Sequence, residues 1–297
     1  MTAPWQAERE LSPSEALALI RSQHPTLSAT KIERLGAGWD NTAYLVDDTW
    51  VFRFPRRAIA VESLEFECAV LPDIAAKLPL PVPVPQWLGE PTAEYPWPFA
   101  GYRNLPGQTA CAADLSLEQR DALAEPLAQF LATLHGLPAH TAPADTRLHT
   151  DTQRLVPIIR GYLAVAIDAG FIDNTDPWEP LLAMAHPELP RREHLVHGDF
   201  YVRHLLVDAA GSAAGVIDWG DVHRGHPGLD LSVAFSVLPP RAREPFRRAY
   251  GTIDEESWLL ARQRGLLYGA VLSAFGHETQ DEALVREGRR ALRWVLE

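Results

Sequence analysis

The sequence predicts an α+β protein of two lobes, a small antiparallel-sheet lobe at the N-terminus and a larger, mainly helical lobe after it. Three observations carry that prediction. A chain of 297 residues is long enough to build two cores. Residues 31–55 run as short apolar and alternating stretches separated by turn residues, the pattern of half-buried strands. From residue 116 onward, apolar residues recur at helical spacing over long segments. The division falls near Asn104, giving lobes of 1–103 and 104–297.

The elements follow in order. SPSEALALIRSQHP opens with Ser12 as a cap, Pro13 in the first turn and Glu15 closing a capping box, and Pro25 ends the helix. KIERL (31–35), TAYLV (42–46) and TWVFRFP (49–55) read as a strand meander. GAGWDN (36–41) joins the first pair, and Asp47-Asp48 turns the second. VESLEFECAVLPDIAAK (61–77) has helical periodicity, with Pro72 set to kink or end it. PLPVPVPQ (79–86) reads as an extended connection, and FAGYRNL (99–105) as a further strand. One long helix is predicted over 116–137, capped by Ser116, and others over 151–170 and 176–189. HLLVD (204–208) and AAGVID (213–218) are two short apolar runs, and helices return after Asp230.

Composition narrows the function. The formal charge of −12 disfavours a nucleic-acid partner and suits a cationic ligand. Two cysteines, Cys68 and Cys111, make no disulfide framework, so a reducing compartment is expected. MTAPWQAERE lacks the apolar stretch of a signal peptide, and no run approaches the ~20 apolar residues of a membrane span. The expectation is a soluble, cytoplasmic protein with no membrane partner.

The chemistry is concentrated in LVHGDFYVRHLLVD (195–208) and VIDWGDVHRGHPGLDLS (216–232). Aspartates and histidines at these spacings suit a metal centre or a phosphate-transfer site, or are loop polarity between buried strands. Phosphoryl transfer needs an oriented hydroxyl, cationic groups over the phosphates and a base. A carboxylate can accept the hydroxyl proton, and a second carboxylate is a hard ligand suited to Mg²⁺.

A small sheet, a glycine turn, a helix, a connection and a helical lobe, followed by HGDFYVRH and IDWGD, resemble the aminoglycoside and macrolide phosphotransferase superfamily with its protein-kinase-like fold. The resemblance runs from about Ile32 to Leu231. It implies that Asp199 is the catalytic aspartate and Asp218 the metal-binding one. It implies that His197 and Asp230 hold the catalytic loop. His204 stands where the superfamily usually has asparagine as second metal ligand. An imidazole there either binds the metal, with a shift of preference from Mg²⁺ toward Mn²⁺ or another divalent ion, or has left the metal shell.

The same resemblance implies that the N-terminal lobe binds the nucleotide. Gly36 and Gly38 would form the loop over the phosphates, using close approach and positive φ, with Asp40 and Asn41 tightening it. Arg53 stands at the place of the kinase lysine, with Glu67 as its ion-pair partner and Glu62 and Glu65 as nearby alternatives. Adenine would lie along Tyr102 to Leu105. Asp221, His223 and His226 either retune the metal site or are loop residues near the surface.

The function implied is transfer of the γ-phosphate of ATP or GTP to a hydroxyl of an aminoglycoside-, macrolide- or other alcohol-type small molecule, with Mg²⁺. One alternative is a metal-dependent phosphoesterase using His197, Asp199, His204, Asp218 and Asp221. Another is a kinase-like protein that binds nucleotide or small molecule with little or no turnover. Trp178, Tyr250, Trp258, Tyr268 and His277 lie in the regions where substrate selectivity would reside, and suit core or binding surface equally.

Overall fold

A computed structural model describes residues 7–38, 40–186, 189 and 192–297. Trp39 of the glycine turn, the first six residues and the end of the helix expected over 176–189 fall outside the described residues. The chain divides into two compact units, one of residues 1–76 and 81–105, the other of 77–80 and 106–297.

The first unit is built on a five-stranded antiparallel sheet of order β1-β2-β3-β5-β4. The strands are β1 (Ile32–Ala37), β2 (Asn41–Val46), β3 (Trp50–Pro55), β4 (Pro85–Gly89) and β5 (Phe99–Arg103). Strand alternation sends Tyr44, Val46, Phe52 and Phe54 to one face, where they pack with Phe99 and with Ala16 and Ile20 of helix α1 (Pro13–Gln23). The Ser12–Glu15 capping box closes α1 as expected. On the opposite face Ala100 and Tyr102 pack with Leu64 of α2 (Ile59–Ile74). Arg53 lies between Phe52 and Phe54 in sequence, so the same alternation turns it away from their core.

Three expectations change here. PLPVPVPQ is not wholly a connection, because Pro85 already begins β4, antiparallel to β5. Pro72 does not end α2, which runs two residues further. The first strand reaches Ala37, carrying Gly36 within a register shift rather than in a free loop. The Asp47-Asp48 turn holds: Thr49 N–H donates to the Val46 carbonyl at 3.1 Å, and both central residues take positive φ within the three-residue link between the paired Val46 and Trp50.

The second unit is mainly helical. α3 (Leu117–Ala122) and α4 (Ala124–Gly136) replace the single helix expected over 116–137. The break follows Arg120, which is buried and forms a bidentate ion pair with Glu287 at 2.8 and 2.7 Å. Then come α5 (Thr152–Asp168) and the short α6 (Glu179–Ala183). Beyond the site segments lie α7 (Val233–Ser236), α8 (Arg243–Tyr250), the long α9 (Glu255–Thr279) and α10 (Glu282–Trp294). Two small sheets carry the motif loops. β6 (Gln108–Thr109), β8 (Leu205–Val207) and β9 (Ala213–Val216) form one, and β7 (His194–Val196) pairs with β10 (His223–Gly225) in the other. No helix among the described residues is long and apolar enough to cross a membrane.

Candidate active site

Residues 197–204 leave the end of β7 as a loop with a demanding backbone. Gly198 has φ 85°, and a Cβ there would overlap the carbonyl oxygen of Asp221. Only glycine fits both conditions. The loop is braced from below by Asp230, a fully buried carboxylate. Its oxygens accept the backbone N–H groups of His197 at 2.8 Å and Gly198 at 2.9 Å, and the Nε2–H of His135 at 3.1 Å. Burial would raise the Asp230 pKa, but these donors and the neighbouring histidines win and hold it below the usual range.

His197 is spent on the same framework. Its Nε2 donates to the carbonyl of Ile217 at 3.0 Å, and its Nδ1 accepts the backbone N–H of Asp199 at 3.3 Å. Neither ring nitrogen is left for a metal, which removes His197 from the ligand set of the phosphoesterase alternative. It is a positioning residue that ties the Asp199 loop to the segment bearing Asp218.

Asp218 has φ 64°, a left-handed conformation uncommon for a side-chain-bearing residue and concentrated at functional sites. His204 stands between the two aspartates. Its Nδ1 donates to the backbone carbonyl of Asp199 at 2.7 Å and lies 3.6 Å from that residue's Oδ2. Its Nε2 lies 3.2 Å from Asp218 Oδ2. Burial alone would lower the imidazole pKa, but the Asp218 carboxylate, with Asp199 behind it, raises it. The ring therefore holds its second proton more tightly than a free imidazole, with a carboxylate near each nitrogen.

The same geometry decides whether a metal fits. Because a carbonyl oxygen can only accept, Nδ1 must be the protonated nitrogen, so loss of the second proton leaves an Nε2 lone pair facing Asp218. Adjacent ligands ~2.1 Å from an octahedral ion stand about 3.0 Å apart, close to the observed 3.2 Å. Asp218 and His204 fit a divalent cation in place of that proton.

Asp199 has a neighbour in Tyr268, which the sequence leaves open between core and binding surface. Tyr268 of α9 donates its hydroxyl to Asp199 Oδ1 at 2.9 Å and accepts from Arg264 at 3.2 Å. Tyr201 stacks on the Tyr268 ring at 4.7 Å. Burial raises the Asp199 pKa and the Asp218 charge adds to it, while His204, Arg264 and the Tyr268 hydrogen bond pull it back. Tyr268 itself stays protonated, because burial and the Asp199 charge push its pKa well above the ordinary value. Asp221 is paired with Arg147 rather than turned toward His204. His223 and His226 are buried, against the surface position expected of them. Nδ1 of His226 accepts the Gly228 N–H at 3.1 Å and caps the turn that leads to Asp230.

In the first unit, Arg53 NH1 meets Glu67 Oε2 at 2.6 Å, with the glutamate fully buried. Glu67 is therefore the partner, rather than Glu62 or Glu65. Asn41 opens β2, its carbonyl accepts from Gly38 N–H at 2.9 Å, and its side-chain oxygen is buried without a hydrogen-bond partner among the described residues. Neither Gly36 nor Gly38 uses positive φ, so the conformational reason expected for them does not apply. What they give is room: a Cβ would meet nothing within 4 Å at Gly36 and only the Asn41 carbonyl, at 3.9 Å, at Gly38. Arg56 donates to the Gly38 carbonyl at 2.7 Å, and Arg57 pairs with Asp40. The arginines after the third strand thus hold the turn. Tyr102 is buried on β5, which lies between β3 and β4 and pairs it with Val51 and Pro85, so the residue expected to line the adenine is enclosed by the sheet; Leu105, beyond the strand, ends the unit.

Three comparisons place this geometry among known proteins. The profile of the phosphotransferase enzyme family matches residues 31–266. The uncharacterized protein YcbJ of Bacillus subtilis (strain 168) is 25% identical over 308 residues, covering 94% of this chain and 95% of that protein. Among solved structures, the GDP complex of wild-type aminoglycoside 2'-phosphotransferase-IIIa superposes with a TM-score of 0.68 at 23% identity, over 96% of this chain and 99% of that one. The macrolide 2'-phosphotransferase MphH of Brachybacterium faecium superposes with a TM-score of 0.56 at 21% identity, over 93% of this chain and 97% of that one. The fold is the α+β, protein-kinase-like one those enzymes share.

Proposed function

The chain belongs to the phosphotransferase enzyme family, and from that premise we propose that it moves the γ-phosphate of ATP or GTP to a hydroxyl of a small molecule of the aminoglycoside, macrolide or other alcohol type. One observation carries the assignment of roles. The carboxylates of Asp199 and Asp218 converge on a single imidazole, 3.6 and 3.2 Å from its two nitrogens.

Asp199 is the catalytic base. Its carboxylate orients the acceptor hydroxyl and receives its proton as the oxygen–phosphorus bond forms and the bond to the leaving nucleoside diphosphate breaks. The hydrogen bond from Tyr268 fixes the carboxylate rotamer, and Arg264 holds the tyrosine. Asp218 and His204 hold Mg²⁺ or, given the imidazole, Mn²⁺ or a similar ion, which offsets phosphate charge when bound.

Arg53, oriented by Glu67, is assigned to the nucleotide phosphates together with the backbone at Gly36, Gly38 and Asn41. The backbone at Leu105, beyond the end of β5, is assigned to the base. The GDP bound in the aminoglycoside relative supports a nucleotide donor, and the aminoglycoside and macrolide relatives support a polyhydroxylated acceptor. A cationic acceptor is favoured by the chain's net charge of −12.

The test is a transfer assay with ATP and with GTP, Mg²⁺ and Mn²⁺, over a panel of aminoglycosides, macrolides and simple amino alcohols. Phosphorylated product is expected from one acceptor class, and Asp199→Asn should lower its turnover about 10³-fold without loss of fold. Undiminished turnover in that variant removes Asp199 from its role.

A further inference from the structure

Outside the Asp199 group, the described residues hold one more set of metal-capable side chains. Asp145 and His149 lie in the segment before α5, and His223 lies on β10. One ligating atom from each is within 4.8 Å of the other two. His149 Nδ1 and Asp145 Oδ1 are 2.9 Å apart, and the His149 and His223 rings stack with centroids 5.0 Å apart. We propose that Asp145, His149 and His223 form a second metal site, for Zn²⁺ or a similar borderline ion, separate from the one assigned to phosphate transfer.

The hydrogen bonding of His223 is the strongest argument. Its Nδ1 donates to the Asp221 carbonyl at 2.7 Å, so the lone pair is on Nε2. That nitrogen is buried and has no hydrogen-bond partner among the described residues. Buried polar atoms nearly always find one. The backbone beside it is Gly225, where a Cβ would overlap Nε2 and close the space. A neutral imidazole with its far nitrogen fixed to a carbonyl is the usual arrangement of a zinc-bound histidine.

The other two donors are presented by the fold. The segment carrying them is clamped to β10, with Arg224 N–H on the Pro143 carbonyl at 2.7 Å and Arg224 Nε on the Ala142 carbonyl at 3.0 Å. Asp145 accepts the backbone N–H groups of Arg147 and His149, each at 3.0 Å, which leaves it ionised and oriented. Two imidazoles and one carboxylate are a donor set for zinc rather than magnesium. Ligands ~2.0 Å from a tetrahedral ion stand about 3.3 Å apart; Asp145 and His149 already meet at 2.9 Å and no pair exceeds 4.8 Å, so the set needs a small adjustment to close on an ion. His149 has the most exposed ring of the three and is the one free to move. A bound ion would lock this segment, and with it Arg147, the partner of Asp221.

The proposal does not depend on phosphate transfer, and its test does not read activity. The full chain, stripped of metal by chelation, is titrated with Zn²⁺ alone and followed by calorimetry and thermal unfolding. One equivalent should bind to the His204→Asn/Asp218→Asn variant, with a dissociation constant near or below 1 µM and a melting shift of several degrees at saturation. That variant isolates the second site. In the same background His149→Ala, a substitution at a partly exposed ring, should weaken binding at least tenfold, and Asp145→Asn should do likewise. Unchanged affinity in either variant overturns the proposal. So does the absence of binding in the isolating variant, with all Zn²⁺ held by His204 and Asp218.

Discussion

The two units each pair a carboxylate with a base, and the bases differ in one respect. In the first unit Glu67 meets Arg53, a guanidinium that never gives up its proton. In the second, Asp218 meets His204, whose proton can leave and whose lone pair then remains. The first pair is a permanent internal salt link that holds an arginine in position. The second is an exchangeable link, in which the imidazole proton stands where the proposed divalent cation would bind. The chain thus keeps a fixed charge in its sheet and a replaceable one in its loops.

The largest effect should come from breaking the permanent pair. Arg53→Ala removes the guanidinium from a fully buried Glu67, and loss of one partner of a buried pair costs about 3–5 kcal/mol. Chemical denaturation should show that loss, and Arg53→Met/Glu67→Leu should recover most of it while leaving nucleotide binding impaired. Full stability in Arg53→Ala would mean that the link is not structural.

The replaceable charge is probed next. In the wild-type chain the cation must displace the Nε2 proton of an imidazole whose pKa is raised. The half-saturating Mg²⁺ concentration should therefore fall as pH rises through that pKa, which lies above the ordinary imidazole value. His204→Asn, with an amide that carries no proton to displace, should flatten this dependence and lower the Mg²⁺ requirement about tenfold. A pH profile unaltered by the substitution places His204 outside the metal shell.

The smallest effect should come from Tyr268→Phe. The hydroxyl helps to keep Asp199 ionised against the burial that raises its pKa. Without it the pKa rises further, and a base that must be ionised to act loses activity from the acid side. The acid limb of kcat/KM should move to higher pH, with about a threefold loss near neutrality and little change in KM for nucleotide. An unmoved limb would leave Tyr268 only a packing role.

Legibility in the sequence followed the range of each interaction. The meander could be read because alternation in VFRFP is local and because Asp47-Asp48 makes its own turn. The α1 capping box is likewise four consecutive residues. β4 was hidden because Pro85 and its neighbouring prolines look like a connection, yet an antiparallel strand tolerates proline at its first position. The break between α3 and α4 comes after Ala122, four residues before Pro126, which cannot donate to the Ala122 carbonyl, a local signal that the apolar periodicity masks. β7 and β10 have three residues each, too few to show a period.

The site divides in the same way. Asp199, His204 and Asp218 share two short stretches of fixed spacing, so a motif finds them. Tyr268 is 69 residues beyond Asp199, on a helix buried nearly all round, and no amphipathic stripe marks which of its side chains face chemistry. The i, i+4 placement of Arg264 and Tyr268 was the available signal, and it is a weak one. The unsatisfied nitrogen of His223 depends on where Asp221 turns its carbonyl, which composition does not reveal.

One consequence of the Asp230 brace extends beyond the loop it supports. The same carboxylate that accepts the N–H groups of residues 197 and 198 also accepts a hydrogen bond from His135 on α4, whose other nitrogen accepts one from the hydroxyl of Tyr250 at the end of α8. Two helices and the base-bearing loop therefore share a single anchor. A shift of either helix along its axis would pull on the loop that carries Asp199, so the position of that carboxylate is tied to the register of α4 and α8.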